Sequence, residues 1–546
     1  MLQLYLNIRK LDRITTELRN IKLLNQTKNK KPTAEEIQKE FEEFIKHKYG
    51  GTVRFVQQPP PNIELNEQDT QSQKKIDLKF DLKPKEVKQY LDRYVIKQYE
   101  AKKALAIAVC DHYNHVRKCH ENPKLLETDY SKQNIIVLGS TGVGKTYMIR
   151  HIAKLIGVPF VKADATRFSE TGYVGANVED LIRDLVTQAD GNLELAQYGI
   201  VYIDEADKLA TPPNIIGRDI SGRGVQFGLL KLMEETEVDL KSSSDPAAQV
   251  KAAIEFQQKG EIEEQVINTR HILFIMSGAF NGLSDIIEKR LNWKSIGFSI
   301  EGRNQQRSID LLAEITSKDF IDFGFEPEFI GRIPIRVVCE DLEAEDLYYI
   351  LKNSEGSIIK QYEQSFQAYD VEAMFSDASL HQIAVLAHHQ KTGARALMTV
   401  CEKVLRDYKF ELPSSPIKEF AVTKEVVNDP KGELERITTN QEYNSRLVFQ
   451  ERIRRYEGDF QEKHKMKIQF DQEATEMIYA RFISNQQEPR EICDEILESY
   501  QHGLSLIKQN TGKSDFTFTK SVVEDPDEVL EGWIRESYNE KSKESR

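Results

Sequence analysis

Short apolar runs recur at residues 135–138, 159–161, 200–203, 272–276 and 333–338, each separated from the next by a longer stretch of mixed polarity. Runs this short, rich in Ile and Val, are the pattern of strands buried on both faces. The intervening stretches carry helical spacing: Met148, Ile149, Ile152, Ala153 and Ile156 share one face of a helix that Gly157 ends. Strand and helix in alternation predict an α/β domain with a mainly parallel sheet, over residues 81–338.

The flanks read differently. Residues 1–56 carry amphipathic helical patterns split by Lys28-Asn-Lys-Lys-Pro32, and 57–80 form a Pro-, Gln- and Asp-rich linker that cannot hold a packed core. Residues 339–435 are predicted as a helical small domain, 440–532 as a second helical block, and 533–546 as a disordered tail. A polar, Ala-, Gln- and Glu-rich insertion at 241–266 reads as a solvated surface excursion. The second block echoes the first: Tyr362-Glu-Gln-Ser-Phe366 recurs as Tyr456-Glu-Gly-Asp-Phe460, and Thr423-Lys-Glu-Val-Val-Asn-Asp-Pro430 as Thr519-Lys-Ser-Val-Val-Glu-Asp-Pro526. The offsets agree, 456 − 362 = 94 and 519 − 423 = 96. Between them Gly393-Ala-Arg395 faces Glu488-Pro-Arg490, so the block resembles a duplicated small domain.

Two strand ends carry chemistry. Directly behind the run 135–138 stand Gly139, Ser140, Thr141, Gly142, Val143, Gly144, Lys145 and Thr146, followed by the helical pattern. In such a loop the backbone N–H groups can converge on a polyphosphate, Lys145 can reach its outer phosphates, and the Thr146 hydroxyl can ligate Mg²⁺. The run 200–203 ends in Asp204 and Glu205. Asp204 would hold the Mg²⁺ shell, and Glu205 would polarise the water that attacks the γ-phosphate. Helix capping explains either acid alone but not the pair. The predicted cofactors are therefore ATP and Mg²⁺.

Composition narrows the remainder. A chain of 546 residues is too long for one core. A net charge of −13 argues against bulk electrostatic binding to nucleic acid. The longest apolar runs are far short of a membrane span, and no secretory signal core opens the sequence, so a soluble cytoplasmic protein is expected. Cys110, Cys119, Cys339, Cys401 and Cys493 are scattered, without the spacing of a zinc site.

With both nucleotide motifs placed, residues from about 82 to 430 resemble the ClpX family of AAA+ unfoldases, and more distantly HslU. Leu91-Asp-Arg-Tyr-Val-Ile-Lys-Gln98 is similar to the family's adenine-side segment, with Val95 and Ile96 as apolar contacts and Lys97 where the family usually has Gly. Thr171-Gly-Tyr-Val-Gly175 resembles the axial pore loop, in which Tyr173 and Val174 grip a translocating polypeptide, and Arg218 to Gln226 resembles the second pore loop. Ile272-Leu-Phe-Ile-Met-Ser-Gly-Ala-Phe280 resembles sensor 1, with Ser277 toward the nucleotide. Phe325-Glu-Pro-Glu-Phe-Ile-Gly-Arg332 resembles the arginine-finger segment, implying that Arg332 reaches a neighbouring subunit's γ-phosphate. Lys391-Thr-Gly-Ala-Arg395 resembles sensor 2, implying that Arg395 touches nucleotide. Ile296, Gly297 and Phe298 stand where the family docks on the ClpP peptidase.

The family's four-cysteine zinc domain and its basic Arg-Lys-His loop have no counterpart here, and the block after 440 lies outside the usual family chain. The resemblance implies an ATP-driven homohexamer that threads protein substrates through a ring pore, as the ATPase component of a ClpP-type protease. Two alternatives compete: a remodelling chaperone that works without a peptidase, and a nucleotide-gated assembly scaffold.

Overall fold

The computed structural model describes residues 80–127, 130–168, 176–211, 220–240, 266–292, 311–485 and 487–544, all within the unit Ile76–Arg546. The helical region expected over 1–56, the linker expected over 57–80 except its last residue, pore residues Tyr173 and Val174, most of the insertion 241–266, and Ile296, Gly297 and Phe298 lie outside the described residues.

Strands β1 (Ile135–Leu138), β2 (Phe160–Asp164) and β3 (Ile200–Asp204) match three of the predicted runs. β4 (Glu237–Asp239) and β5 (Val266–Asn268) pair antiparallel on their own, so the insertion between them leaves from the end of a short two-stranded ladder. β6 (Leu273–Gly278) and β7 (Ile335–Val338) complete a parallel sheet of order β2-β3-β6-β1-β7. Ile135 and Val137 of β1 pack with Met148, Ile149 and Ile152 on one face. Ile136 and Leu138 pack with Val201, Ile203, Phe274 and Met276 on the other. Burial on both faces is why these strands read as unbroken apolar runs, and each such side chain stabilises the domain by about 1.5–3 kcal/mol.

The small domain contains a parallel pair, β8 (Glu372–Phe375) and β9 (Glu419–Val422), which the helical reading of 339–435 did not foresee. Four-residue apolar strands between longer amphipathic helices carry no periodicity of their own. Helix Ile358–Gln367 precedes β8, helices Asp377–His389 and Arg395–Glu411 cross between the strands, and Lys424–Asn428 and Pro430–Thr439 follow β9.

The next block repeats this order. Helix Gln441–His464 leads into β10 (Lys467–Phe470), helices Gln472–Asn485, Pro489–Leu497 and Tyr500–Thr511 cross to β11 (Asp515–Phe518), and Lys520–Glu524 and Pro526–Glu544 follow. β10 and β11 are again parallel, and the strand starts keep the sequence offset, 467 − 372 = 95 and 515 − 419 = 96. One crossover helix is divided in two, beginning at Pro489, which lacks the backbone donor that Ala394 has. The block has its own core, where Trp533 stacks on Phe518 at 5.9 Å and meets Tyr500 edge-on.

The disordered tail expected from 533 gives way to helix, which continues to Glu544. Its polar composition hid the reason: Ser537 is buried against Asn510, and Lys541 donates to the Asn510 side chain at 2.8 Å.

The long helix Gln441–His464 seats the block on the small domain. Leu447 and Val448 pack on Met374 and Ala421, and the Asn444 amide donates to the Glu419 carbonyl at 2.8 Å. Arg452 bridges Glu419 at 2.6 Å and Glu488 at 2.7 Å. Removing a partly buried cation from between two carboxylates leaves them facing each other uncompensated. Arg452→Ala is therefore expected to destabilise this junction by about 1–3 kcal/mol. Limited proteolysis should then cut faster near residues 435–441, with β1–β7 fragments as resistant as before.

Candidate active site

At the carboxyl end of β1 the chain turns through Gly139, Gly142 and Gly144, whose φ angles are +145°, +84° and +100°. Those values favour glycine, and they bring the loop back into helix Lys145–Ile156 so that the helix N-terminus faces the loop's concavity. Lys145 is buried. Its ammonium donates to the carbonyls of Gly139 and, at 2.8 Å, Ser140, while burial lowers its pKa from the ordinary lysine value. A cation is thereby held inside the turn where a polyphosphate would lie.

The acid pair sits two strands away because β6 lies between β3 and β1. Ser277 of β6 stands level with Val137 of β1, and Met276 with Ile203 of β3. The Ser277 hydroxyl consequently reaches Asp204 Oδ1 at 2.8 Å and the Tyr202 hydroxyl at 2.6 Å. The Thr146 hydroxyl donates to Asp204 Oδ2 at 3.2 Å, and Lys162 forms an ion pair with the same oxygen at 2.8 Å. Burial pushes the Asp204 carboxyl up, but the hydrogen bonds from Lys162 and Ser277 outweigh it and hold the group below the usual carboxylate range. It is ionised at neutral pH. Glu205 follows in a left-handed conformation, φ +55°, at a cost of about 1–2 kcal/mol for a residue with a Cβ. Its side chain is exposed and lines the cleft.

The small domain closes the cleft with backbone. Ala394 N–H donates to the Gly142 carbonyl at 2.9 Å. A Cβ added to Gly142 would stand 2.2 Å from the Thr392 carbonyl oxygen, and one on Gly393 would stand 2.8 Å from the Gly142 carbonyl carbon. Arg395 opens the next helix and faces the same cleft.

Val95 and Ile96 form the apolar wall, and their segment is tied down on both sides. Ser354 donates to the Tyr94 carbonyl at 2.8 Å, Arg93 pairs with Glu355 at 2.6 Å, and the Gln98 amide exchanges two hydrogen bonds with the Glu340 backbone. Lys97 adopts φ +59°, a conformation that suits the glycine usual in the resembled family. Its side chain supplies an offsetting contact, an ion pair with Asp346 at 2.8 Å.

Together these elements line a cleft of about 590 Å³ that takes in Val95, Ile96, Thr141 to Thr146, Asp204, Glu205 and Arg395. Its size and its mixture of apolar wall, amide-rich turn and carboxylates suit a nucleotide. Gly139 lies beneath the turn instead, where a Cβ would stand 2.8 Å from that of Cys339.

Ser277 is placed differently from the expectation that it faces the nucleotide. Ser277 is fully buried below Asp204 and braces it, while Asn281, a few residues on, lines the cleft. Arg332 lies outside the cleft, where it pairs with Glu234 at 2.7 Å and remains more than half exposed. Lys162 and Tyr202 escaped the sequence reading, because a lysine and a tyrosine inside strands have no local signature.

Phosphate loop, strand-end acids and a parallel sheet of this order define an ATPase of the AAA class, and residues 130–336 match the AAA domain (Cdc48 subfamily). Curated relatives are more specific. The chain is 41% identical over 341 residues to the ATP-dependent Clp protease ATP-binding subunit ClpX of Azotobacter vinelandii, spanning 61% of this chain and 75% of that one. It is 40% identical over 348 residues to ClpX of Borrelia duttonii (strain Ly), and 40% over 363 residues to ClpX 3 of Methylococcus capsulatus (strain ATCC 33009 / NCIMB 11132 / Bath), covering 78% and 80% of those chains. The chain belongs to the ClpX family, with the AAA ATPase activity that membership carries.

Because Gly142 and Gly393 meet backbone to backbone at positive φ, either glycine replaced by Ala must part the two domains. ATP hydrolysis is expected to fall at least about tenfold in each variant, the loss that follows from about 1.4 kcal/mol of displaced geometry. A malachite-green phosphate assay alongside circular dichroism would check this, with the fold retained.

Proposed function

We propose that this protein is an ATP-driven unfoldase and translocase, working as a homohexameric ring. The observation that carries this reading is the convergence in one cleft of the phosphate loop, the Asp204–Glu205 pair and Arg395, while Arg332 stands on a surface outside it.

ATP would lie along the loop with its adenine against Val95 and Ile96. Backbone N–H groups of residues 141–146 and the Lys145 ammonium would hold its phosphates, the lysine leaving its carbonyl partners to do so. Thr146 and Asp204, already within hydrogen-bond distance of each other, would hold Mg²⁺, which when bound neutralises charge on the β- and γ-phosphates. Ser277 and Lys162 fix the Asp204 carboxylate and keep it ionised. Glu205, turned into the cleft by its left-handed backbone, would accept the proton of the attacking water. Arg395 would sense the phosphates from the small domain. Arg332 would act on the site of the next subunit, since a planar guanidinium suits a γ-phosphate and this one lies exposed outside its own cleft.

For the output stage, Tyr173 and Val174 between glycines would grip the polypeptide in the axial pore, and Ile296, Gly297 and Phe298 would dock on a ClpP-type peptidase. The relatives' designation as Clp protease subunits supports the peptidase partner. A remodelling chaperone remains the reading to adopt if docking fails.

Four variants separate these roles. Lys145→Ala is expected to weaken ATP binding, whereas Glu205→Gln should bind ATP normally and lose hydrolysis by about 10²–10⁴-fold, the usual worth of a positioned base. Nucleotide titration and phosphate release distinguish these, and unchanged turnover in Glu205→Gln overturns the assignment. Tyr173→Ala should keep ATP hydrolysis within about twofold while uncoupling it from unfolding of a folded substrate. Phe298→Ala should lose only peptidase-coupled degradation.

A further inference from the structure

The described residues contain a second cleft, larger than the first at about 840 Å³, between the small domain and its C-terminal copy. Its place in the fold is informative. In the small domain, helix Ile358–Gln367 and Arg395 form the face turned to the nucleotide cleft, through Ile358, Gln361 and Arg395. In the copy, helix Gln441–His464 and Arg490 present the corresponding face, with Arg455 where Gln361 stands and Arg490 where Arg395 stands. Met374 and Phe375 of β8 line the same cleft opposite this face.

The lining has two unfilled demands. Arg454, Arg455 and Arg490 face carboxylates only at 3.7, 3.5 and 3.7 Å, at or beyond hydrogen-bond reach. Their side chains are 60%, 43% and 72% exposed, so their guanidinium donors are available. Against them Glu451 lies in the wall with its side chain 5% exposed, and its buried Oε2 has no hydrogen-bond partner. Arg454 stands 3.7 Å from that oxygen, a loose ion pair that leaves room for a closer donor. Of the other carboxylates in the lining, Asp377 pairs with Lys352 at 2.7 Å and Glu457 accepts from the Phe470 N–H at 2.6 Å, while Glu372, 4.0 Å from Arg452, and Asp459, 3.7 Å from Arg490, are only loosely paired. Met374, Phe375 and Ile468 add an apolar floor.

A ligand that satisfies this set carries phosphate for three forked cations, a hydroxyl or amino donor for a carboxylate, and a flat apolar portion. We propose that the cleft between the small domain and its C-terminal copy is a second binding site, for a nucleoside phosphate. No phosphate loop or strand-end acid pair borders it, so it binds without hydrolysing and acts as a sensor that holds the copy against the small domain. Arginine suits this task because its planar fork matches phosphate oxygens and its charge is permanent.

The test uses the full-length protein and 8-azido-ATP photolabelling with peptide mapping. Label is expected in two regions: near Val95 and Ile96, and within 372–377 or 451–469. Arg455→Ala and Arg490→Ala, both at exposed side chains, should each lower the second label by about tenfold, one charge-assisted hydrogen bond, and leave the first unchanged. Lys145→Ala should do the reverse, so failure at the catalytic cleft is distinguishable from failure here. Excess tripolyphosphate that removes the second label shows that phosphate alone is recognised, whereas competition by ADP but not by tripolyphosphate shows that the nucleoside contributes. Labelling confined to the catalytic cleft, or a second label indifferent to both arginine variants, overturns the proposal.

Discussion

A single backbone contact organises this molecule: the Gly142 carbonyl of the phosphate loop accepts from Ala394 N–H of the small domain. Two glycines at positive φ allow the approach, and no side chain mediates it. Because the contact is made by main chain, it leaves no slack. Any movement of phosphates in the loop must be felt at the turn that carries Arg395, and any tilt of the small domain must be felt at the loop. The strap through Arg93, Tyr94, Lys97 and Gln98 limits the remaining freedom by tying the apolar wall to Glu340, Asp346, Ser354 and Glu355. A cleft held this way is suited to coupling hydrolysis with domain rotation, since packed elements change between discrete arrangements rather than deform.

Much of the α/β core was legible. Strands buried on both faces must be apolar throughout, and a phosphate loop needs its glycines at fixed spacing, so β1, β3, Lys145, Thr146, Asp204 and Glu205 announce themselves in one dimension. What supports them does not. Lys162 and Tyr202 act through neighbours on other strands, and Ser277 looks like a nucleotide contact until the register of β6 places it under Asp204. Arg332 could be read only by resemblance, because nothing in its local pattern marks a role. The short strands β8 to β11 were missed since four residues do not establish a period, and the terminal helix was missed because its stabilising partner, Asn510, lies in another element.

The C-terminal block repeats the element order of the small domain with one departure at the turn before its crossover helix. Its strand pair, helix order and buried aromatic core follow the first copy, yet Pro489 stands where Ala394 gives its N–H to the phosphate loop. That single replacement removes the donor through which a small domain clasps a nucleotide loop. The copy instead lies on the small domain through Leu447, Val448 and Arg452, and turns Arg490 toward that junction.

The central claim is that the clasped cleft is a complete ATPase site only with an arginine from a second copy. Mixing Arg332→Ala with Glu205→Gln protein tests it most directly, because each variant alone lacks one half of every site. The account predicts that the mixture hydrolyses ATP faster than either variant, as junctions form that join an intact Arg332 to an intact Glu205. No recovery, with co-assembly verified by native mass spectrometry, contradicts it.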